Sequence, residues 1–184
     1  MDACGVLKKY FNDPVAFALV LEHSRMVADK ALAIAASANA RVDFTFIEEA
    51  ALLHDIGVAR IYSPRLGCFG NAPYICHGVL GREILEGEGL HNHAMVCERH
   101  IGVGLTADDI IRQKLPLPAR EMIPLTLEEK IICFADLFYS KNPGSRSSQK
   151  SIQEIRAGLK KFGDHKVTVF DQWLNELGMG CLVT

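Results

Sequence analysis

The chain has 184 residues, of which 49% are hydrophobic and 23% charged, and a formal net charge of -2. That size and apolar share suit one ordinary domain with a substantial buried core. The near-neutral charge gives no global electrostatic reason to expect a nucleic-acid duplex or an anionic membrane as partner. Apolar runs break well before the roughly 20 residues needed to span a bilayer. The start MDACGVLKKY has no signal-peptide apolar segment, so the expectation is a cytoplasmic protein.

From Asp13 to about Ala40 the text is rich in Ala and Leu, with Val20, His23, Val27, Ala31 and Ile34 recurring every three or four residues. This spacing predicts a long amphipathic helix capped by Asp13, with Pro14 in its first turn and His23 on the apolar stripe. Thr45-Phe46-Ile47-Glu48 fits a capping box for a second helix, whose inner face would carry Ile47, Ala50, Ala51 and His54 and which Gly57 would stop.

The segment IYSPRLGCFGNAP is punctuated by Pro64, Gly67, Gly70 and Pro73 and reads as a long irregular loop. Helical periodicity resumes through YICHGVLGREILEGEG, with His77, Leu80, Ile84 and Leu85, and again through HNHAMVCERHIG, with His93, Val96, Cys97 and His100. Thr106 opens a further helix, and the proline-punctuated strap KLPLPAREMIPL ends at a capping box, Thr126-Leu127-Glu128-Glu129. The apolar helix that follows carries Asp136. After a polar break, KNPGSRSSQ, a stripe of Ile152, Ile155, Leu159 and Phe162 predicts a helix, and a last one covers about 165–177. No internal repeat or convincing run of strand alternation interrupts an all-α pattern.

Six cysteines (Cys4, Cys68, Cys76, Cys97, Cys133, Cys181) form no CxxC pair and read as reduced, mostly buried thiols. A zinc site at Cys76-His77 lacks a second pair to complete it.

Asp136 is anomalous in a helix otherwise built for burial, since an isolated buried carboxylate is costly unless it is paired or bound to a cation. The same reasoning applies to His23, His54 and Asp55. Taken singly, each is as well explained by a cap, a salt bridge or a core histidine. Together they are a set of imidazole and carboxylate donors on different helices, which a bundle can converge on a divalent cation.

In this order the residues resemble the HD superfamily of metal-dependent phosphohydrolases, in the small single-domain group labelled by its HDIG motif. His54-Asp55-Ile56-Gly57 matches that motif letter for letter. LEHSRMVADKALAIA, EEAALLHDIG, HGVLGREIL, CERHIG and EEKIICFADLFYSK resemble five ordered family blocks. The resemblance implies an HD-domain helical bundle, read here as a single domain over 1–184 with a core of about 14–141 and C-terminal helices at about 148–177. It implies one metal on His23, His54, Asp55 and Asp136. It also implies a second on His77 and His100, with Asp55 bridging as the catalytic carboxylate. His91 and His93 are left near a helix start, outside the ligand set.

Such a set resembles that of small bacterial HD enzymes that hydrolyse diadenosine tetraphosphate at a di-iron centre. Val58 stands where the HD-GYP phosphodiesterases place a lysine, and no GYP-type motif follows, which speaks against cyclic dinucleotides. The implied activity is hydrolysis of a phosphoester or phosphoanhydride of a nucleotide or small metabolite by metal-activated hydroxide. A nucleoside 5'-monophosphatase and a non-catalytic nucleotide-binding regulatory module are the alternatives. One or two divalent ions are expected, with Fe, Mn, Zn, Ni and Mg not distinguished by such ligands. Arg60 and Lys141 are the candidate phosphate contacts, Arg65 and Arg146 read as solvated charges, and an oligomer is possible.

Overall fold

Asp2 and Asp13 each turn the chain into a helix. In a computed structural model, describing residues 1–38, 41–140 and 149–179, they begin α1 (Ala3–Lys8) and α2 (Pro14–Ser37). The Asp13 carboxylate accepts from Val15 N at 2.7 Å and Ala16 N at 2.9 Å, satisfying amides that a helix start leaves without partners. The fold is all-α, as the periodicity predicts, with α3 (Phe44–Leu53), α4 (His77–Gly87), α5 (His91–Arg99), α6 (Ala107–Arg112), α7 (Leu127–Asp136), α8 (Ile152–Lys160) and α9 (Asp164–Glu176) following.

Two local expectations need correction. The second helix does not start with a Thr45–Glu48 box: Asp43 caps it, accepting from Phe46 N at 2.9 Å, and Thr45 lies inside the first turn. Nor does Gly57 stop that helix. It ends at Leu53, with His54 as its cap, and Gly57 lies in a following 3-10 turn, Ile56–Arg60. The long loop after it folds a small hairpin of β1 (Tyr62–Ser63) and β2 (Cys68–Phe69), too short to register as sequence alternation. At 126–129 half of the predicted box forms. Thr126 accepts from Glu129 N, while the Glu129 carboxylate turns to Leu125 N and Arg99 instead.

Two apolar clusters flank the inner residues of α2. One gathers Val27, Ile34, Ile47, Ile131, Phe134, Ile155, Phe170 and Trp173, so that α8 and α9 close over α7. The Phe134 ring stacks on Phe170 at 5.3 Å and meets Phe138 edge-on at the same distance. The other gathers Leu7, Val20, Ile56, Ile61, Ile84 and Leu85, tying α1 and the hairpin segment to α4. Ile152, Ile155 and Leu159 of the predicted stripe are buried, whereas Phe162 beyond α8 is 57% exposed.

Buried carboxylates away from the α2 interior find strong cations. Glu98 receives Arg82 at 2.6 Å and also Arg120, while Glu129 receives Arg99 at 2.8 Å. Asp109 receives the buried Lys166 at 2.5 Å and Arg112 at 2.9 Å, with His165 at 3.3 Å. Lys166 also donates to Gly104 O at 2.7 Å, so this pair fastens α9 to the segment before α6. Burial works against the Asp109 charge, but the Lys166 ammonium and the Thr106 hydrogen bonds hold its carboxyl well below the usual carboxylate range.

A folded pKa below the unfolded value adds stability above the unfolded pKa, and that stability is lost as pH falls toward the folded one. Asp109→Ala, which strands Lys166, is expected to cost about 3 to 5 kcal/mol at pH 7 in urea denaturation. The gap to the parent protein should narrow below about pH 4. Equal urea midpoints at pH 7 would show that the pair holds nothing.

Candidate metal centre

Each of the six inward polar residues reaches the bundle interior from its own backbone setting. His23 comes from the middle of α2. His54 caps the carboxyl end of α3 and Asp55 follows it, His100 caps the carboxyl end of α5, and Asp136 is the last residue of α7. His77 is the first residue of α4. Three helix carboxyl ends therefore converge here, and their partial negative charge favours a cation.

The histidines are oriented by the backbone. Nδ1 of His54, His77 and His100 lies 2.7 Å from the carbonyl oxygen three residues earlier, that of Ala51, Tyr74 and Cys97 respectively. A donating Nδ1–H leaves the lone pair on Nε2 and points it inward, the tautomer a metal ligand needs. For His54 and His100 the same bond also satisfies a carbonyl of the last helical turn.

Asp55 is fully buried, and its two oxygens face different groups. Oδ2 lies 3.4 Å from His23 Nε2 and 3.3 Å from His54 Nε2, and Oδ1 lies 3.5 Å from both His77 Nε2 and His100 Nε2. Asp136 Oδ1 approaches His23 Nε2 at 2.9 Å and His54 Nε2 at 3.6 Å. The cluster thus has two lobes sharing one carboxylate.

These donors fit divalent cations. Nε2 of His77 and His100 are 3.0 Å apart, and with both Nδ1 atoms donating, two lone pairs face each other. Two ligands of one ion, each about 2.0 to 2.1 Å from it, lie at about that separation. The donor atoms of His23, His54 and Asp55 form one compact group and those of Asp55, His77 and His100 another, each within 4.8 Å, and a third group of His54, His100 and Asp136 joins them. His54 Nε2 is buried and faces carboxylate oxygens, those of Asp55 at 3.3 Å and Asp136 at 3.6 Å, without a well-aligned hydrogen bond. Burial alone would lower the pKa of His54, yet the carboxylates of Asp55 and Asp136 overcome it and push it up to about 10. The pocket asks for positive charge at that nitrogen.

Gly57 makes the second lobe possible. A Cβ there would lie 1.9 Å from His77 O and 2.4 Å from Gly81 N, so only glycine lets the start of α4 lie against the turn after Asp55. Spacing had marked this glycine as a helix stop; the contact that requires it belongs to a segment twenty residues away.

The remaining candidates lie elsewhere. Arg60 is ion-paired with Glu83 at 3.5 Å on the surface. Lys141, with Arg146 and Cys181, lies outside the described residues. His91 is exposed, and His93 packs on Phe46 with its Nε2 3.5 Å from Glu49. Among the described cysteines, Cys68, Cys97 and Cys133 are buried and none is bridged. Tyr74, unmarked in the sequence, supplies the carbonyl for His77 and sets its ring 4.8 Å from that imidazole. Its place in an irregular segment hid it.

A helical bundle enclosing this His and Asp set is a metal-binding fold. The HD domain family matches residues 20–140, a span containing all six cluster residues, and the chain belongs to that family. It is 37% identical over 121 residues to an uncharacterized protein of Methanocaldococcus jannaschii, covering 64% of each chain. Similarity extends to proteins named tRNA (cytidine(56)-2'-O)-methyltransferase. That of Thermoplasma volcanium is 28% identical over 166 residues (86% of this chain, 45% of that one). That of Picrophilus torridus is 27% identical over 184 residues (96% and 49%). The chain therefore spans less than two thirds of the first relative and under half of the other two. No solved structure matches it significantly. No helix among the described residues is long and apolar enough to cross a membrane.

Gly57→Ala is expected to lose about 1 to 3 kcal/mol in urea denaturation because the added methyl group meets backbone. Gly87→Ala, where a Cβ meets nothing within 4 Å, should be neutral or mildly stabilising. Equal stability of the two variants would remove the packing role assigned to Gly57.

Proposed function

We propose that the chain is a metal-dependent phosphohydrolase acting on a phosphoester or phosphoanhydride of a nucleotide or other small phosphorylated compound. The observation that supports this best is the division of the Asp55 carboxylate between two groups of imidazoles. In this reading His23, His54, Asp136 and Asp55 would hold one divalent ion, and His77 and His100, again with Asp55, would hold a second. Such ions, when bound, would supply Lewis acidity toward a phosphoryl oxygen and toward water, whose pKa they can bring from about 15.7 toward neutrality.

The chain's own contribution is position and charge. The Nδ1 bonds fix three imidazole planes before any ligand arrives, so little reorganisation accompanies binding. Two carboxylates would not neutralise two divalent ions, so a loaded site would carry net positive charge for phosphate oxygens. The Asp136 side chain is 16% exposed while that of Asp55 is fully buried, so substrate approaches past Asp136. A cysteine nucleophile is not called for: burial pushes the thiols of Cys97 and Cys133 well above their usual pKa, keeping them protonated.

His and carboxylate donors of this kind accept iron, manganese, zinc or nickel, so supply and geometry select among them. We also read residues 1–184 as one domain, because the apolar cluster under α7 is shared with α8 and α9. The methyltransferase name describes the longer relatives and is not carried to this chain. A nucleoside 5'-monophosphatase and a diadenosine tetraphosphate hydrolase are separated by product analysis on the two substrates. Tight nucleotide binding without turnover would instead indicate a regulatory module.

Asp55→Ala is expected to lose both ions by elemental analysis of anaerobically purified protein, and at least about a hundredfold in phosphoester hydrolysis. The double variant His77→Ala, His100→Ala should keep about half of the metal, while His91→Ala should match the parent. Full metal content and turnover in Asp55→Ala would sink the assignment.

A further inference from the structure

A second feature lies beside the cluster and shares none of its residues. A cavity of about 370 Å³ opens between α8 and the segment after His100, within the size range of small-molecule sites. Three of its wall residues, Ile75, Ile101 and Leu137, come from three separate elements. Each stands within two positions of a cluster residue: His77, His100 and Asp136 in turn. With consecutive Cα atoms about 3.8 Å apart, each of these wall residues has its Cα within about 8 Å of that of a cluster residue, which places the cavity beside the cluster.

Its character is opposite to that of the cluster. Leu115, Ile155 and Leu159 complete an apolar lining, and the charged groups at its margin are engaged. Lys166 Nζ is held by Asp109 and Gly104 O, Lys150 Nζ donates to Tyr139 O at 3.1 Å and Leu137 O at 3.4 Å, and the Glu154 carboxylate accepts from Ser151. Gln113 is different. It lines the cavity, and its Nε2 is buried without a hydrogen-bond partner. Such a donor is costly to leave unmatched; it is closed to water as it stands, and a rotation of the Gln113 amide would present it to an acceptor on an occupant.

We propose that this cavity receives the organic group of the substrate, an uncharged ring-sized group bearing a hydrogen-bond acceptor, while the phosphate it carries lies at the cluster. The assignment rests on the phosphohydrolase reading for the word substrate, and on the cavity alone for the ligand class. At about 30 Å³ per water, the volume corresponds to roughly a dozen waters, enough for a fused two-ring system. Recognition is then divided: charge selects phosphate, and apolar burial with Gln113 selects what the phosphate is attached to.

Gly158 offers a clean test. It lies inside α8 on the cavity wall, and a Cβ there meets nothing within 4 Å. Gly158→Trp therefore starts from an unobstructed Cβ on the cavity wall, is expected to place its indole in the cavity, and replaces the helix-weakening residue of α8. Gly87→Trp, at an equally open helical glycine outside the cavity, is the control. The probes are 1-naphthol, followed by its fluorescence, and 1-naphthyl phosphate compared with ethyl phosphate. Hydrolysis breaks the ester P–O bond as water oxygen forms a new one, giving naphthol and inorganic phosphate, with the water proton passing to the departing oxygen.

Saturable naphthol binding by the parent and by Asp55→Ala, weakened at least tenfold in Gly158→Trp, is the expected result. The ratio of kcat/KM for naphthyl over ethyl phosphate should also fall at least tenfold in Gly158→Trp, with the metal content of Gly158→Trp unchanged and Gly87→Trp like the parent. Equal naphthol affinity in the parent and Gly158→Trp would overturn the cavity assignment. Naphthol binding lost in Gly158→Trp, with no phosphoester hydrolysed by the metal-loaded parent, would overturn the phosphohydrolase reading and leave the cavity as a ligand site.

Discussion

Asp55 sets the terms for the rest of the molecule, because a carboxylate with no exposure must be met by positive charge or fail to fold in its charged form. The chain solves that problem in two ways. Glu98, Glu129 and Asp109 receive guanidinium or ammonium groups, which are permanent cations at neutral pH. Around Asp55 stand four imidazoles, whose charge is exchangeable between a proton and a coordinated ion. A permanent cation would have made a strut. Exchangeable ones leave a place that a coordinated cation can take, and the carboxylates of Asp55 and Asp136 raise the pKa of His54 against the opposing effect of its burial.

Holding four imidazoles in a buried interior demands orientation, and for three of them helix ends supply it. The carbonyls of a last turn lack partners within the helix, and the Nδ1–H of a histidine just beyond can take one of them. His54 and His100 do this, and His77 does the equivalent from the start of α4. One bond therefore caps a helix, selects a tautomer and aims Nε2. Such ends must also come close enough together, which is why Gly57 abuts the first turn of α4 and why apolar clusters press on both flanks of α2.

Helix positions, and His23, His54, Asp55 and Asp136 as inward polar residues, were legible in the sequence because they follow from local periodicity and from polar residues interrupting it, whereas His77 and His100 joined the set only through the resemblance to the HD family. His23 on its stripe and Asp136 at the end of an apolar helix are misfits that pattern alone exposes. Features that depend on distant segments were not legible. Gly57 read as a stop because its contact with His77 O is tertiary, and Glu129 read as half of a capping box because nothing local announces Arg99. Asp43 and Thr45 both have capping side chains, and spacing alone favoured the wrong one. Which oxygen of Asp55 meets which imidazole, and the cavity beside them, emerge only when the helices pack.

Packing also changes where the charge that would meet a phosphate comes from. Arg60, adjacent in sequence to the doublet, is turned to Glu83 at the surface, and the lysines around the apolar cavity are bound to carbonyls or to Asp109. Among the described residues those cations are engaged, so in the proposed reading attraction for a phosphate group would rest mainly on what the His and Asp donors hold. A site so arranged joins two functions in one element: the ions that would activate water are also those that would bind substrate charge. Removing them would then weaken binding and chemistry together, while the apolar wall would still recognise the organic group. That separation follows from the placement of charge inside the bundle and apolar surface beside it.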